Sequence, residues 1–439
     1  MGKIAEENVY RRLGEKINNL TFRAPWNDTF YNILKNLYTE EEAALVVNMP
    51  YGLSSLDRIS KITKIEENRL RSILEKLCNK GLLMDLWNEN DRQYYFMPSP
   101  LLVGIFEFTM KRKEDDLKMK EWAKLFHDYM SKDDFLFSAN FSHDEQISPL
   151  RVIPVEETIK TKDNIAFLDY EKVSSLVENS DRFAIHICSC RKETSLNGEK
   201  ECDVPLESCT ALGFGADYLI RNNLGREITK SEMLDHVALS KELGLVFCAD
   251  NVKNNPSFIC HCCKCCCLAL AGLSKYGYTN SIITSNFISK IDESLCKGCG
   301  KCLEVCPVNA MSLISANDPK NKKKKKSHVN TEICVGCGVC ASKCPTEAVN
   351  MINRGSRVIH PETTFERIIL QSLDRGTIQN QLFDNPQSVT QKFMRSFVGG
   401  FLRLPPVKKA LLSDLLRSSF LGFVKTGAKM QGKGWMTEL

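Results

Sequence analysis

Apolar positions recur at helical spacing through the first hundred residues. Within residues 1–38, Trp26, Phe30, Tyr31 and Leu34 are spaced to anchor a helix on a core. Residues 40–47 read as a helix, and Pro50-Tyr51-Gly52 as a turn. Ser54 or Ser55 is placed to cap a short helix through Ile62. Over residues 66–80, Leu70, Ile73, Leu74 and Leu77 keep the helical period, and Gly81 stops it. Two strand-like runs, 82–87 and 93–97, then flank the polar segment 88–92.

Beyond residue 98 the pattern coarsens. An apolar segment over 101–107 precedes a charged, helical stretch over 110–130, and Pro149 and Pro154 mark a linker. Helices are expected over 170–177, 216–221 and 231–243, with buried strands over 183–188 and 245–248. This alternation fits an α/β or α+β unit. Residues 365–425 are helical, with two apolar stripes. Met394, Phe397, Val398, Phe401 and Leu402 form one, closed by Pro405-Pro406; Leu411, Leu412, Leu415, Leu416, Phe420 and Phe423 form the other. Lys408, Lys409, Arg417 and Lys425 flank them. Basic amphipathic helices of this kind lie on an anionic membrane surface or pack against their own domain or a partner. No run reaches the roughly 18 uninterrupted apolar residues that a spanning helix needs.

Cysteine changes the picture most. Of twenty, one (Cys78) precedes residue 188 and nineteen lie between 188 and 344. With no secretory signal read ahead of them, metal is a better expectation than a disulfide framework, and the chain reads as cytoplasmic. The runs Cys296-x2-Cys299-x2-Cys302-x3-Cys306-Pro307 and Cys334-x2-Cys337-x2-Cys340-x3-Cys344-Pro345 are the strongest signal in the chain. Paired C-x2-C units also bind zinc, but zinc takes ligands two and two and leaves the third cysteine and the Cys-Pro unexplained. A loop with a cysteine every third residue can wrap three of the iron corners of a cubane. Gly298, Gly300, Gly336 and Gly338 allow the positive φ that curls such a loop around the cofactor with its amides inward.

These residues resemble a bacterial-type ferredoxin with two [4Fe-4S] clusters, over about fifty residues. The resemblance implies crossed ligation: Cys296, Cys299, Cys302 and Cys344 around one cluster, and Cys334, Cys337, Cys340 and Cys306 around the other. The chain departs from the short bacterial form in an insertion carrying Lys320 and Lys322 to Lys326. That run reads as a solvated loop or as a handle that steers an acidic redox partner.

The middle cysteines are less usual. Cys188-Ser189-Cys190-Arg191 ends a predicted strand, and Cys202 and Cys209 follow; these four are candidates for a third iron–sulfur cluster, with structural zinc or packing as alternatives. Cys260-His261-Cys262-Cys263-Lys264-Cys265-Cys266-Cys267 packs six cysteines into eight residues, more than any core needs. It is a candidate for a further cluster, with surplus thiols for a redox-active or unusual one. Arg191 and Lys264 beside these sites would stabilise thiolates. Cys78 reads as buried.

The early pattern of helix, turn, helix and wing resembles a winged-helix module. DNA recognition through the 66–80 helix is disfavoured, because Glu66-Glu67 stand where bases would be met. Together with the CxCR and CHCCKCCC runs, residues 35–350 resemble long ferredoxin-like proteins of strict anaerobes, which implies electron transfer in an anaerobic host but no substrate.

Net charge is +5, yet from Pro386 onward nine Lys and Arg face two Asp and Glu. The remainder is therefore slightly acidic, which argues against a general nucleic-acid binder. No GxGxxG fingerprint points to a nicotinamide or flavin. The expected organisation is multidomain α+β: a winged-helix-like module (1–110), a helical linker (111–160), a cysteine-rich α/β domain (161–290), a two-cluster ferredoxin (291–355) and a basic helical arm (356–439). The expected function is one-electron relay between redox partners, as a carrier or an electron-transfer subunit of an oxidoreductase. The alternatives are a reductase with an active-site cluster or dithiol at 260–267, and a redox-sensing transcriptional regulator.

Overall fold

The computed structural model describes residues 2–132, 135–142, 147–159, 167–318, 323–355 and 357–439. Its first unit is helical, with helices Gly2–Asn18, Asp28–Leu37, Glu40–Asn48, Leu56–Thr63 and Glu67–Asn79. Side-chain caps fix where they begin. Thr39 and Glu42 form a reciprocal capping box, and Ser55 accepts from the Arg58 N–H. The Glu66 carboxylate accepts from the N–H groups of Asn68 and Arg69, so this acidic residue caps its own helix. Strands β1 (Ser54–Ser55), β2 (Leu83–Asn88) and β3 (Gln93–Pro98) form an antiparallel sheet in the order β1-β3-β2. Cys78 is buried. The charged stretch expected as one helix breaks into Phe106–Lys111 and Asp116–Ser131, because the Asp115 side chain caps a new start. Phe30, Leu74, Trp122 and Phe126 share one core, so the linker expected at 111–160 begins inside the first unit.

That expected linker also supplies an edge strand. β4 (Leu150–Ile153) joins β5 (Phe183–Ile187), β6 (Glu207–Leu212), β7 (Arg226–Ile228), β8 (Val246–Asp250) and β9 (Phe258–Cys262) in a sheet of order β4-β8-β9-β6-β5-β7. Every pairing is antiparallel, which makes the unit α+β rather than doubly wound α/β. One face is an apolar core. Ile153, Ile185, Leu212, Phe247 and Ile259 pack there with Val177 and Val237 from helices Val173–Glu178 and Lys230–Glu242. The other face carries cysteine.

The third unit has two antiparallel ribbons, β10 (Phe287–Ile291) with β13 (Val349–Asn353) and β11 (Met311–Ser315) with β12 (Lys325–Val329). Lys325 and Lys326, expected in a solvated insertion, therefore belong to a strand; Lys320 and Lys322 lie outside the described residues. This unit docks on the sheet through the Val155 N–H to the Cys337 carbonyl (2.9 Å) and Lys343 Nζ to the Glu242 carbonyl (2.6 Å).

The arm comprises helices Thr364–Asp374, Ile378–Leu382, Val389–Leu402, Pro405–Leu412 and Asp414–Met430. Pro405-Pro406 opens a helix instead of only closing one, as proline's fixed φ suits a first turn. Asp384, 6% exposed at its side chain, ties the arm to the first unit by accepting from Arg58 (2.6 Å) and Lys433 (3.0 Å). Among the described residues no helix is long and apolar enough to cross a membrane.

Candidate metal centres

The ferredoxin-like cysteines sit on two loops related by a 38-residue internal repeat. Gly298, Gly300, Gly336 and Gly338 all take positive φ, between 65° and 84°. Two of them are also enforced by close approach. A Cβ on Gly298 would stand 2.2 Å from the Lys325 carbonyl oxygen, and one on Gly336 2.0 Å from that of Phe287. Each loop thus lies flat against a strand, the first on β12 and the second on β10. Backbone N–H groups turn toward sulfur in consequence. Burial works against the Cys296 thiolate, but donors at Ser327 and Gly298 hold its pKa below the ordinary range. Ser327 N–H approaches Cys296 Sγ at 3.4 Å, and the Ala310 N–H donates to Cys306 Sγ at 3.2 Å. Glycine cradles, inward amides and four thiols per loop are the donor set a cubane requires, so the residues present fit two [4Fe-4S] clusters.

Cys306 is a near neighbour of the second loop. Burial first, then the charges of Cys340, Cys334 and Cys306, push the Cys337 thiol upward. Cys340 rises to about 12, again by burial first and then by Cys334, Cys306 and Cys302, with Ser289 acting against the rise. Cys344 in turn acts on Cys296.

Two residues absent from the motif face these thiols. Ser327 Oγ lies 3.1 Å from Cys302 Sγ and 3.8 Å from Cys296 Sγ; Ser289 Oγ lies 3.1 Å from Cys340 Sγ and 4.0 Å from Cys334 Sγ. Both are buried. Each stands seven residues before the first cysteine of its own repeat yet serves the other repeat's loop. The repeat was a readable signal for them.

The middle cysteines are assembled by strand pairing. Cys248 stands opposite Cys260, and Val246 opposite Cys262; His186 stands opposite Cys209. Strand alternation places all of these on the sheet face away from the apolar core, while His261 turns to the opposite face, bonding Thr210 and Ser240. Cys188, at the N-cap of helix Ser189–Leu196, and Cys190 close over this face, and Cys267 joins at 3.1 Å from Cys262. Seven thiols therefore form a continuous string of contacts, from Cys190 through Cys188, Cys209 and Cys260 to Cys262, with Cys248 and Cys267 beside it. A cavity of about 280 Å³ opens against six of them. Cys248 was not singled out from the sequence, since a lone cysteine in a short apolar strand reads as core.

Two buried cations, Lys111 and Arg191, line the chamber together with the Glu107 carboxyl. Lys111, 6% exposed, donates to Ser189 Oγ (3.0 Å) and the Glu107 carbonyl (3.1 Å). Burial and then Lys111 hold His186 down to about 3, so its imidazole is neutral. Arg191 is fully buried and donates to the His261 and Pro205 carbonyls, to Ser208, and to Cys263 Sγ at 3.3 Å. Lys264 is exposed.

The grouping expected from the sequence changes accordingly. Cys202 lies with Cys263, Cys265 and Cys266, while Cys188, Cys190 and Cys209 join Cys260, Cys262 and Cys267. The six-cysteine run is split because β9 ends at Cys262: thiols on the strand keep its face, and those in the following turn leave it.

Residues 289–351 match a family model described as a 4Fe-4S dicluster domain. No curated protein matches the chain.

Proposed function

We propose that this chain is an iron–sulfur electron-transfer protein in which a two-cluster ferredoxin unit exchanges single electrons with a third centre in the seven-thiol chamber. One observation carries this reading. Cys248, Cys260, Cys262 and Cys267 of the chamber and Cys302, Cys306, Cys334, Cys337 and Cys340 of the ferredoxin unit belong to one contiguous apolar core. Water is excluded along that core, and a low dielectric between centres limits the reorganisation that electron transfer must overcome. When bound, the clusters supply one-electron storage; the chain holds them, donates to their sulfurs and keeps water out.

Crossed ligation follows the ferredoxin pattern, with Cys344 completing the set of Cys296, Cys299 and Cys302, and Cys306 that of Cys334, Cys337 and Cys340. The charge of Cys306 acting on both Cys337 and Cys340 supports it. The chamber's Arg191 and Lys111 favour thiolates and the extra electron of a reduced centre. Partners are redox proteins, acidic where they meet exposed Lys323, Lys324 and Lys325. The first unit acts as a winged-helix-like docking module rather than a DNA reader: Glu66 and Glu67 head its exposed helix, and Tyr95 of its wing packs on Trp435 of the arm. The arm's exposed stripe of Phe393, Phe397 and Phe401 is its membrane-surface or partner contact.

A second reading is favoured by the cavity itself. A reductase would use the chamber as its active site, fed by the ferredoxin unit, with Lys111 and neutral His186 beside the thiols. The test is a Cys248→Ser/Cys260→Ser variant, prepared anaerobically. A relay loses the third centre's signal and keeps both ferredoxin signals; unchanged iron and sulfide would end the proposal. Turnover of a disulfide or other small acceptor by the intact chain would select the reductase.

A further inference from the structure

The turn after β9 gathers a second thiol set with a different geometry. Cys202 Sγ lies 3.7 Å from Cys263 Sγ and 4.0 Å from Cys266 Sγ. Cys265 Sγ lies 3.9 Å from Cys263 Sγ and 3.3 Å from Cys266 Sγ. All four sulfurs fall within 4.8 Å of one another. From these distances we infer that Cys202, Cys263, Cys265 and Cys266 hold a single metal ion in a closed tetrathiolate site, separate from every iron–sulfur cluster of the chain.

Sulfur–sulfur separation distinguishes a single ion from a cluster. A tetrahedral ion with metal–sulfur bonds of about 2.3 Å sets its ligand sulfurs about 3.8 Å apart. The thiolates of a cubane point outward from four separated irons and stand roughly 6 Å apart. The observed separations match the first figure. The molecule supplies its own calibration, because it also contains two cubane-type loops. Among the described residues no other three Cys, His, Asp or Glu ligand atoms are gathered within 4.8 Å, the eight ferredoxin cysteines included. The chamber thiols, too, are strung out rather than gathered.

The surroundings fit a structural ion. Four protein ligands close the coordination sphere and leave no position for substrate, and four thiolates select a thiophilic ion such as Zn²⁺. The tetrathiolate carries excess negative charge, and Arg191 Nη2 lies 3.3 Å from Cys263 Sγ to offset part of it. The segment between helix Ser189–Leu196 and β6 has no regular structure, and its apolar support is small: Val204 with Leu245 and these same cysteines. An ion bonded to Cys202 on that segment and to the turn after β9 would pin two loops 61 residues apart, and the metal's binding energy would become folding energy there. The pinned segment before β6 carries Pro205, and the pinned turn continues directly from β9, which carries His261; both carbonyls accept from Arg191, so the ion also fixes the wall of the chamber.

The full chain, purified anaerobically, tests this by counting metal and acid-labile sulfide. The expected wild type holds one zinc per chain, or one iron beyond a multiple of four. Cys202→Ser loses that one ion with no change in sulfide and none in the ferredoxin EPR. Loss of about four irons with four sulfides would overturn the inference, as would a Cys202→Ser chain with its full metal content. If the variant does not fold, wild-type protein produced with cobalt decides the matter. Tetrahedral tetrathiolate Co²⁺ gives intense visible bands with thiolate charge transfer; bound cobalt without them would equally overturn the assignment.

Discussion

The ferredoxin unit and the sheet-borne chamber both gather cysteine, and they do so by opposite means. In the ferredoxin unit the ligands lie on two short loops, so spacing in sequence becomes spacing in space, and glycine with positive φ makes the curl. In the chamber the thiols come from three paired strands, β6, β8 and β9, and from two helix starts, spread from Cys188 to Cys267. A strand sends neighbours to opposite faces and residues two apart to the same face. Cys260 and Cys262 therefore act together while His261 serves the opposite core, and Cys263, one residue further, leaves both. Adjacency in sequence is a good guide to shared ligation on a loop and a poor one on a strand.

The largest expected effect lies at the cross-over cysteines. Cys306→Ala should abolish the centre bounded by Cys334, Cys337 and Cys340 while the chamber's signals persist, and Cys344→Ala should remove the other. Crossed ligation would make each half serve both clusters, so hydrogen exchange across residues 296–344 should rise as one unit in either variant. If Cys306→Ala instead removed the signal assigned to Cys296, Cys299 and Cys302, ligation would be local and the two loops independent.

Gly336→Ala sharpens the loop side. The added Cβ meets the Phe287 carbonyl at 2.0 Å in a backbone held at φ 69°, so destabilisation of about 2–4 kcal/mol is expected. Thermal unfolding of the loaded protein measures it. A change below about 0.5 kcal/mol would mean the loop is not pressed on β10.

Asp384→Asn tests how firmly the arm is held beside these centres. Its carboxylate is nearly buried, and leaving Arg58 and Lys433 without their partner should cost about 1–3 kcal/mol, reduced by their partial exposure. Burial opposes its charge, but Arg58 and Lys433 keep its pKa below the ordinary carboxylate value. The sign follows: this stabilisation is present above the unfolded aspartate's pKa and is lost as pH falls through the lower folded value. Proteolysis of the arm in acid should accelerate in wild type and be insensitive to pH in Asp384→Asn; equal profiles would refute the clamp.

The smallest expected effect lies in Ser289 and Ser327. Each hydroxyl stands 3.1 Å from one sulfur of the opposite repeat's loop, Ser289 from Cys340 and Ser327 from Cys302; it can donate its single proton to that sulfur as a thiolate, and removing it withdraws stabilisation from the reduced, more negative state. Ser289→Ala should lower the potential of the centre at Cys334 and Cys340 by tens of millivolts and leave the other unmoved. Redox-poised EPR reads both at once, and a shift in the wrong centre would reverse the pairing of serines with loops.

What could be read beforehand follows the same division. The first-unit helices and hairpin, the ferredoxin loops and helix Lys230–Glu242 were legible because caps and period are local signals. Strands β4, β6 and β9 were not, since Arg151, Thr210 and His261 on the core side and cysteine on the other leave no apolar alternation to count. The sheet order that brings Cys248 to Cys260 is a tertiary fact with no local trace. Cys202 was grouped with its sequence neighbours because the turn that delivers Cys263, Cys265 and Cys266 to it follows from where β9 ends. Lys325 looked like part of a charge run, yet the 38-residue repeat places it where Phe287 stands in the other half.

Iron and acid-labile sulfide counted on the anaerobically purified chain, with EPR of the reduced protein, test the central claim of a third centre coupled to the ferredoxin unit. The account predicts about twelve sulfides per chain or more, at four per cubane, and reduced-state signals broadened by spin coupling among more than two centres. Eight irons and eight sulfides, with only the two-cluster ferredoxin spectrum, would contradict it.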